Sequence, residues 1–163
     1  MARQAVIQRT TRETSISLSL DLDGRGRAEV ATGVGFFDHM LTHVAFHGYF
    51  DLALEAQGDL HVDPHHTVED VGICLGLALR QCLGDRQGLV RYGNAFVPMD
   101  EALAQVVVDL SNRPLLVVDA ARRPGSVGQF DGQLAEEFWR ALALNAGLTL
   151  HVRLLYGDND HHM

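Results

Sequence analysis

The stretch "DPHHTVEDVGICLGLALRQCL", residues 63–83, indicates how this chain folds. Two adjacent histidines, His65 and His66, stand immediately before a segment that is apolar on nearly every side of a helix predicted over residues 67–83. A helix that is apolar all round is buried inside a fold rather than laid on its surface. The sequence therefore predicts a central buried helix that begins beside a histidine pair.

Alternating polar and apolar residues predict strands on both sides of this helix. Before it, strands are predicted over residues 4–10, 14–22, 28–32 and 51–58, with a helix over 35–48 that ends at a glycine. After it, strands are predicted over 89–101, 105–111, 115–120 and 148–155, with a loop over 122–132 and a helix over 133–147. Each part of the chain thus mixes strands and helices in the same order.

The order of strands, helix, glycine, strand, loop and His-His occurs twice, which predicts an internal duplication. The second histidine pair is His161 and His162. One domain of residues 1–163 would then consist of halves 1–86 and 87–163, joined near residues 84–88. The alternative is a chance similarity between two halves rich in strands and helices. The sequence stops at Met163, before any counterpart of the central helix, and we expect the polypeptide to continue.

The composition narrows the class of protein. A formal net charge of −8 without a basic tract argues against nucleic acid and against an anionic membrane as partners. All 13 basic residues are arginines, so lysine Schiff-base chemistry is excluded from this sequence and arginine must hold any phosphate.

Cys74 and Cys82 are too far apart along one helix to bond to each other, which favours a reduced, cytoplasmic protein. No apolar segment approaches the roughly 20 residues that span a bilayer.

The spacing of the histidines favours metal binding. Adjacent residues of a helix point about 100° apart, so the two histidines of a pair would reach different ions. Glu69 can share a helix face with His66 at i+3 or with His65 at i+4. Imidazole and carboxylate together suit a divalent ion such as Mn, Fe, Co or Zn, and the duplicated pairs suggest two ions that draw ligands from both halves. The alternative is that these are ordinary surface histidines. Asp63 and Asp70 either orient the imidazole rings or form a helix cap and a solvated loop.

Five segments of the chain together resemble imidazoleglycerol-phosphate dehydratase, an enzyme family of histidine biosynthesis. They are residues 35–48, 58–72, 91–103, 109–114 and 148–162, they follow the family's order, and they cover nearly the whole chain. The resemblance implies an α/β (α+β) fold of two similar halves, each with a four-stranded sheet and two helices, in which the helices pack between the two sheets. It also implies a homo-oligomeric shell of 24 subunits with active sites between subunits.

The resemblance further implies two manganese ions in each active site. Ligands of the first ion would be His39, His66, Glu69 and His161, and those of the second would include His65 and His162. Glu137 occupies a position where many family members carry a histidine. Because manganese accepts oxygen ligands, Glu137 is either a metal ligand or a glutamate on a helix surface.

The same resemblance assigns roles in the reaction, which is the loss of water from imidazole glycerol phosphate to give imidazole acetol phosphate. Glu13 matches the acid–base glutamate, Arg91 and Arg113 match the residues that hold the substrate phosphate, and His47 matches a position that contacts the substrate. The metal-ligating histidines and Glu69 would also surround the substrate. Without the resemblance, Glu13 would be a charge at a strand edge, the arginines surface residues, and His47 a histidine favoured by a helix C-terminus.

Two other functions are compatible with paired metal ions. One is a two-metal hydrolase that activates water, and the other is a duplicated, metal-dependent structural module without catalytic activity. Neither alternative accounts for Glu13, Arg91 and Arg113 together.

Overall fold

The computed structural model describes residues 3–120 and 124–163 of the chain. The first half contains four strands and two helices: β1 (Gln4–Thr10), β2 (Thr14–Asp21), β3 (Ala28–Ala31), α1 (Gly35–Gly48), β4 (Asp51–Gly58) and α2 (His65–Leu83). The second half contains β5 (Tyr92–Met99), β6 (Ala102–Asp109), β7 (Leu115–Ala120), the short β8 (Ser126–Val127) and β9 (Phe130–Asp131), α3 (Gln133–Ala146) and β10 (Thr149–Tyr156).

The two large sheets have the same topology. Their strand orders are β1-β2-β4-β3 and β5-β6-β10-β7, and in each sheet the last strand pairs parallel while the others pair antiparallel. The correspondence extends to single hydrogen bonds, because the backbone N–H of Leu22 donates to Arg3 and that of Leu110 donates to Arg91, both at 3.0 Å. The repeated architecture agrees with the duplication that the sequence predicts.

Strand β2 shows why these residues form a sheet with one buried face. Thr14, Ile16, Leu18 and Leu20 are buried, while the serines between them are exposed, so side chains alternate strictly between the core and the solvent. A shift of register by one residue would move every one of these apolar side chains to the outer face, and the pattern therefore fixes the pairing.

Helix α2 lies at the centre of the molecule, where it packs against β1, β2 and α3. Its close approach to α3 requires glycine, since a Cβ atom at Gly72 would lie 2.8 Å from the carbonyl oxygen of Phe138 and one at Gly76 would lie 2.7 Å from that of Leu142. Helix α3 in turn contacts β7 of the second sheet. The predicted arrangement, with helices packed between two four-stranded sheets, is confirmed.

Some predicted boundaries differ from the structure. Helix α2 begins at His65 rather than at residue 67, because the Asp63 carboxylate accepts a hydrogen bond from the His65 backbone N–H (2.7 Å) and starts the first turn earlier. The predicted strand over 89–101 is confined to β5, since the chain turns at Asp100, where φ is +46°. The predicted loop over 122–132 contains the short strands β8 and β9, and residues 122 and 123 lie outside the described residues.

Candidate active site

The first histidine pair occupies the start of α2. The rings of His65 and His66 are 6.0 Å apart and almost perpendicular (88°). His65 Nε2 lies 3.9 Å from Glu69 Oε2 one turn later, which is too long for a hydrogen bond. The resemblance to known enzymes groups Glu69 with His66, whereas in this chain the Glu69 carboxylate is adjacent to His65.

His66 is held by a carboxylate on its other ring nitrogen. His66 Nδ1 lies 2.9 Å from Asp59 Oδ2. An ionised carboxylate only accepts hydrogen bonds, so Nδ1 carries the proton and the Nε2 lone pair remains available. The hydrogen bond to Asp59 raises the pKa of His66 above its ordinary value, and the negative charge of Glu13 raises it further. Glu13 therefore acts electrostatically on the first histidine pair.

The second histidine pair lies in the turn that follows β10 and repeats the geometry of the first. The rings of His161 and His162 are 6.2 Å apart and perpendicular (90°). The backbone N–H of His161 donates to Asn159 Oδ1 (2.9 Å), just as that of His65 donates to Asp63. The same side-chain-to-backbone turn thus presents both pairs.

His162 also has a carboxylate partner, Glu101, from the turn between β5 and β6. His162 Nδ1 lies 2.8 Å from Glu101 Oε2, while Glu101 Oε1 accepts the backbone N–H groups of Asn159 (2.8 Å) and Asp158 (3.2 Å). These bonds, the one from His162 first, lower the pKa of Glu101 to about 2. Glu101 is therefore ionised at neutral pH. His162 Nε2 faces away from Glu101, 4.0 Å from Asp100 Oδ2.

Helix α1 carries a row of histidines at successive turns. The ring centroids of His39 and His43 are 4.4 Å apart, and those of His43 and His47 are 5.5 Å apart. Burial, followed by the charges of the neighbouring histidines, lowers the pKa of His43. His39 also lies 5.6 Å from His161, so the structure brings together, from opposite halves, two of the histidines expected to bind one ion. His47, at the other end of the row, is exposed.

Glu13 stands in the tight turn between β1 and β2. Thr11 Oγ1 accepts the backbone N–H groups of Glu13 (3.1 Å) and Thr14 (3.0 Å), and Thr14 Oγ1 donates to Asp70 Oδ2 (2.5 Å). Asp70 belongs to α2, is only 7% exposed and also pairs with Arg9. The turn is thereby fixed to the helix that carries the first histidine pair. The Glu13 carboxylate itself is exposed and forms no hydrogen bond or salt bridge with the residues of 3–120 and 124–163.

Arg91 and Arg113 meet at one carboxylate. Asp109 accepts Arg91 Nε at 2.7 Å and Nη2 at 3.0 Å, and it lies 3.4 Å from Arg113 Nη2. The hydrogen bond from Arg91 is the largest cause that lowers the pKa of Asp109 to about 2. Both arginines, together with Arg86, line an open cavity of about 450 Å³. Since each guanidinium has five donors, both retain N–H groups for an anion in this cavity.

The carboxylates that bond to the imidazole rings differ from those that the sequence suggested. Asp63 caps a backbone N–H and Asp70 binds Thr14, so neither forms a hydrogen bond with an imidazole ring. The imidazole partners Asp59 and Glu101 are absent from the sequence interpretation. Asp59 precedes His66 by seven residues and could have been considered, whereas Glu101 is separated from His162 by 61 residues and only the fold brings them together.

The remaining predicted ligand, Glu137, lies on α3 with its carboxylate 3.7 Å from Arg140 Nε. It is half-buried, and its role in metal binding stays a prediction. Across the described ranges, no three His, Cys, Asp or Glu side chains converge closely enough to hold one ion. The structure thus brings together His39 and His161, which are expected to bind the same ion, while the Glu69 carboxylate lies nearest to His65, which is expected to bind the other ion.

Two further properties bear on the class of protein. Cys74 and Cys82 are both buried and unpaired, and burial raises the pKa of the Cys74 thiol to about 11. Neither thiol is suited to act as a nucleophile at neutral pH. None of the helices in the part of the chain that the structure describes combines the length and apolarity needed to cross a membrane.

Comparison with known proteins gives a consistent result. The family model described as imidazoleglycerol-phosphate dehydratase matches residues 32–163. The chain is 60% identical over 163 residues to imidazoleglycerol-phosphate dehydratase of Geobacillus kaustophilus, covering all of this chain and 84% of that protein. It is 56% identical over 161 residues to the enzyme of the same name from Azorhizobium caulinodans, covering 99% of this chain and 82% of that protein.

Solved structures agree with this similarity. The crystal structure of imidazoleglycerol-phosphate dehydratase from Staphylococcus aureus superposes with a TM-score of 0.86 at 44% identity, covering 98% of this chain and 88% of that one. The enzyme from Pyrococcus furiosus, solved in complex with (S)-C348, superposes with a TM-score of 0.83 at 40% identity, covering 96% of this chain and 83% of that one.

Proposed function

The chain belongs to the imidazoleglycerol-phosphate dehydratase family, and from this membership we propose that it converts imidazole glycerol phosphate to imidazole acetol phosphate in histidine biosynthesis. The observation on the chain itself that carries the proposal is the exposed carboxylate of Glu13, which forms no hydrogen bond or salt bridge within residues 3–120 and 124–163 and stands on a turn that Thr14 and Asp70 fix to the helix of the first histidine pair. A free carboxylate next to a histidine cluster is suited to proton transfer. In this proposal the enzyme works in the cytoplasm, which is compatible with its free cysteines.

The donor atoms of the site fit manganese. Nδ1 of His66 and of His162 is bonded to a carboxylate, which leaves Nε2 for a metal, and imidazole nitrogens with carboxylate oxygens suit this ion. In the proposed assignment His39, His66, Glu69 and His161 hold one ion, while His65 and His162, with Glu137 as a candidate, hold the other. When bound, manganese supplies a Lewis acid that binds a substrate imidazole nitrogen and favours loss of the ring proton.

The protein residues supply positioning and proton transfer. The reaction breaks one C–H bond and the C–O bond on the neighbouring carbon, and releases one molecule of water. Glu13 moves the proton at the carbon that loses hydrogen, in reach of the ring that the histidines orient. Arg91 and Arg113 hold the phosphate in the cavity next to Asp109, which fixes the carbon chain relative to Glu13 and contributes through orientation. His47 contacts the substrate from the exposed end of the α1 histidine row.

We extend the proposal to the assembly. Large apolar side chains on the second sheet are exposed in the single chain, notably Tyr92, Phe96 and Val97 on β5 and Leu115 and Val117 on β7. These exposed side chains lie on the two edge strands of the sheet, and symmetric self-association would cover them. No complete ligand set lies within residues 3–120 and 124–163 of one chain, which also favours active sites shared between subunits. A homo-oligomeric shell of the kind that the family resemblance implies accounts for both features.

Product analysis tests the proposed reaction. Purified protein with Mn²⁺ should consume imidazole glycerol phosphate and form the ketone imidazole acetol phosphate, followed by NMR or by derivatisation of the carbonyl group. Release of inorganic phosphate instead would identify a two-metal hydrolase. Absence of turnover by a protein that binds Mn²⁺ would favour the structural module.

A further inference from the structure

We propose that Asp59 and Glu101 are positioning residues, each of which binds Nδ1 of the second histidine of a pair and thereby directs its Nε2 to the metal. This inference rests on the proposed function, in which His66 and His162 are metal ligands. It deepens that function because it assigns the groups that select the metal-binding form of each histidine.

The two contacts have the same chemistry. His66 Nδ1 lies 2.9 Å from Asp59, and His162 Nδ1 lies 2.8 Å from Glu101. An ionised carboxylate accepts the Nδ1 proton and cannot donate one, so both imidazoles are held as the Nδ1–H tautomer. In this tautomer Nε2 carries a lone pair, which is what a metal requires. Carboxylates placed in this way raise the basicity of the ligand and fix the plane of the ring.

The two carboxylates reach equivalent histidines from unrelated places. Asp59 comes from the loop between β4 and α2, only seven residues before His66. The residue seven positions before His162 is Leu155, which has no charge, and Glu101 of the β5–β6 turn supplies the carboxylate there instead. Both halves thus have a carboxylate bonded to Nδ1 of the second histidine, although this carboxylate comes from a different position in each half. Because the same contact occurs twice, we infer that the second histidine of each pair needs a carboxylate at Nδ1 and that neither contact is accidental.

Partial burial restrains Asp59, and backbone hydrogen bonds restrain Glu101. The Asp59 side chain is 17% exposed and both of its oxygens lie within 3.2 Å of His66 Nδ1. Glu101 accepts two backbone N–H groups on the oxygen that His162 does not use. Glu101 is thereby ordered independently of His162, so it can hold the imidazole ring without a further loss of side-chain freedom.

Manganese binding by the assembled enzyme tests the inference. Asp59→Ala and Glu101→Ala should each weaken Mn²⁺ binding by about 10- to 100-fold, the usual effect of removing such a partner. Asp59→Asn and Glu101→Gln should bind Mn²⁺ with intermediate affinity, since an amide oxygen still accepts the Nδ1 proton. The free Mn²⁺ signal in electron paramagnetic resonance gives the affinity. Asp119→Ala, which removes a surface carboxylate that pairs with Arg153, is the matched control.

The outcomes separate positioning from a general structural role. We expect normal thermal unfolding of the metal-free conservative variants, reduced Mn²⁺ affinity, and kcat within a few-fold of the wild type once Mn²⁺ is saturating. Wild-type Mn²⁺ affinity in Asp59→Ala and Glu101→Ala would overturn the proposal, and so would an equal loss in Asp119→Ala. If an alanine variant does not fold, wild-type Mn²⁺ affinity in the corresponding Asn or Gln variant would overturn the proposal instead. A wild type that binds Mn²⁺ but forms no ketone would refute the proposed function alone.

Discussion

The β1–β2 and β5–β6 turns occupy equivalent places in the two halves, and each carries a glutamate beside a histidine pair. Glu101 is bonded through both oxygens, to His162 and to two backbone N–H groups. Glu13, beside His66, has an exposed carboxylate that forms no hydrogen bond within the described ranges. A carboxylate with its lone pairs engaged is suited to hold a ring, whereas a free one is suited to exchange a proton. The duplication has thus produced one glutamate of each kind.

Removal of metal should have the largest effect, because it acts on both halves at once. If each ion joins ligands from different chains, part of its binding free energy is assembly free energy. Treatment with a chelator should abolish turnover and move the protein to a later elution volume in size-exclusion chromatography. Addition of Mn²⁺ should reverse both changes. An unchanged elution volume in the metal-free protein would contradict this account.

A second experiment compares the arginines that precede the first strand of each half. Arg91 donates from Nε and Nη2 to the two oxygens of Asp109, and Arg3 donates from the same two nitrogens to a single oxygen of Asp23. Arg91→Ala should weaken substrate binding by about 1.5–3 kcal/mol, the range for hydrogen bonds to charged groups. It should leave the metal content unchanged, because Arg91 is not a ligand.

Arg3→Ala is the control for that substitution, since its salt bridge is exposed and lies in the other half. Steady-state kinetics and metal analysis of both variants give the answer. An equal rise of KM in the two variants would mean that the arginines have the same structural role. Loss of metal in Arg91→Ala would show that Arg91 supports the metal site rather than the phosphate.

The smallest expected effect concerns the turn that presents Glu13. Thr11 Oγ1 accepts two backbone N–H groups there, so Thr11→Ala should reduce the free energy of unfolding by about 0.5–1.5 kcal/mol. Thr10→Ala, which removes only a long contact to Ser15 (3.4 Å), should have a weaker effect. Equilibrium urea unfolding of the metal-free variants measures the difference. Identical midpoints for the two variants would mean that Thr11 does not fix the turn.

Local patterns predicted most of the fold, because the forces that form its elements act over a few residues. Strand β1, helix α1 and strand β4 match their predicted boundaries. The duplication was visible for the same reason, since each half repeats a local order of strands, helix and His-His.

Contacts between distant segments could not be predicted in this way. Glu101 meets His162 across 61 residues, and Thr14 meets Asp70 across 56. Nothing local marks either carboxylate as the partner of one side chain rather than another. The role of Glu13 came only from the family resemblance, because a single glutamate in a hairpin turn has no distinguishing pattern. Glu137 has a local partner, Arg140, and its part in metal binding stays a prediction.

The most direct test of the division between the two glutamates is the turnover of Glu13→Gln and Glu101→Gln, measured side by side across a range of Mn²⁺ concentrations. We expect Glu13→Gln to lower kcat by about 10²- to 10⁴-fold at every Mn²⁺ concentration while binding Mn²⁺ as the wild type does. Glu101→Gln should need more Mn²⁺ and then regain nearly the wild-type kcat. Recovery of Glu13→Gln by excess Mn²⁺, or an equally low kcat of Glu101→Gln at saturating Mn²⁺, would contradict the account.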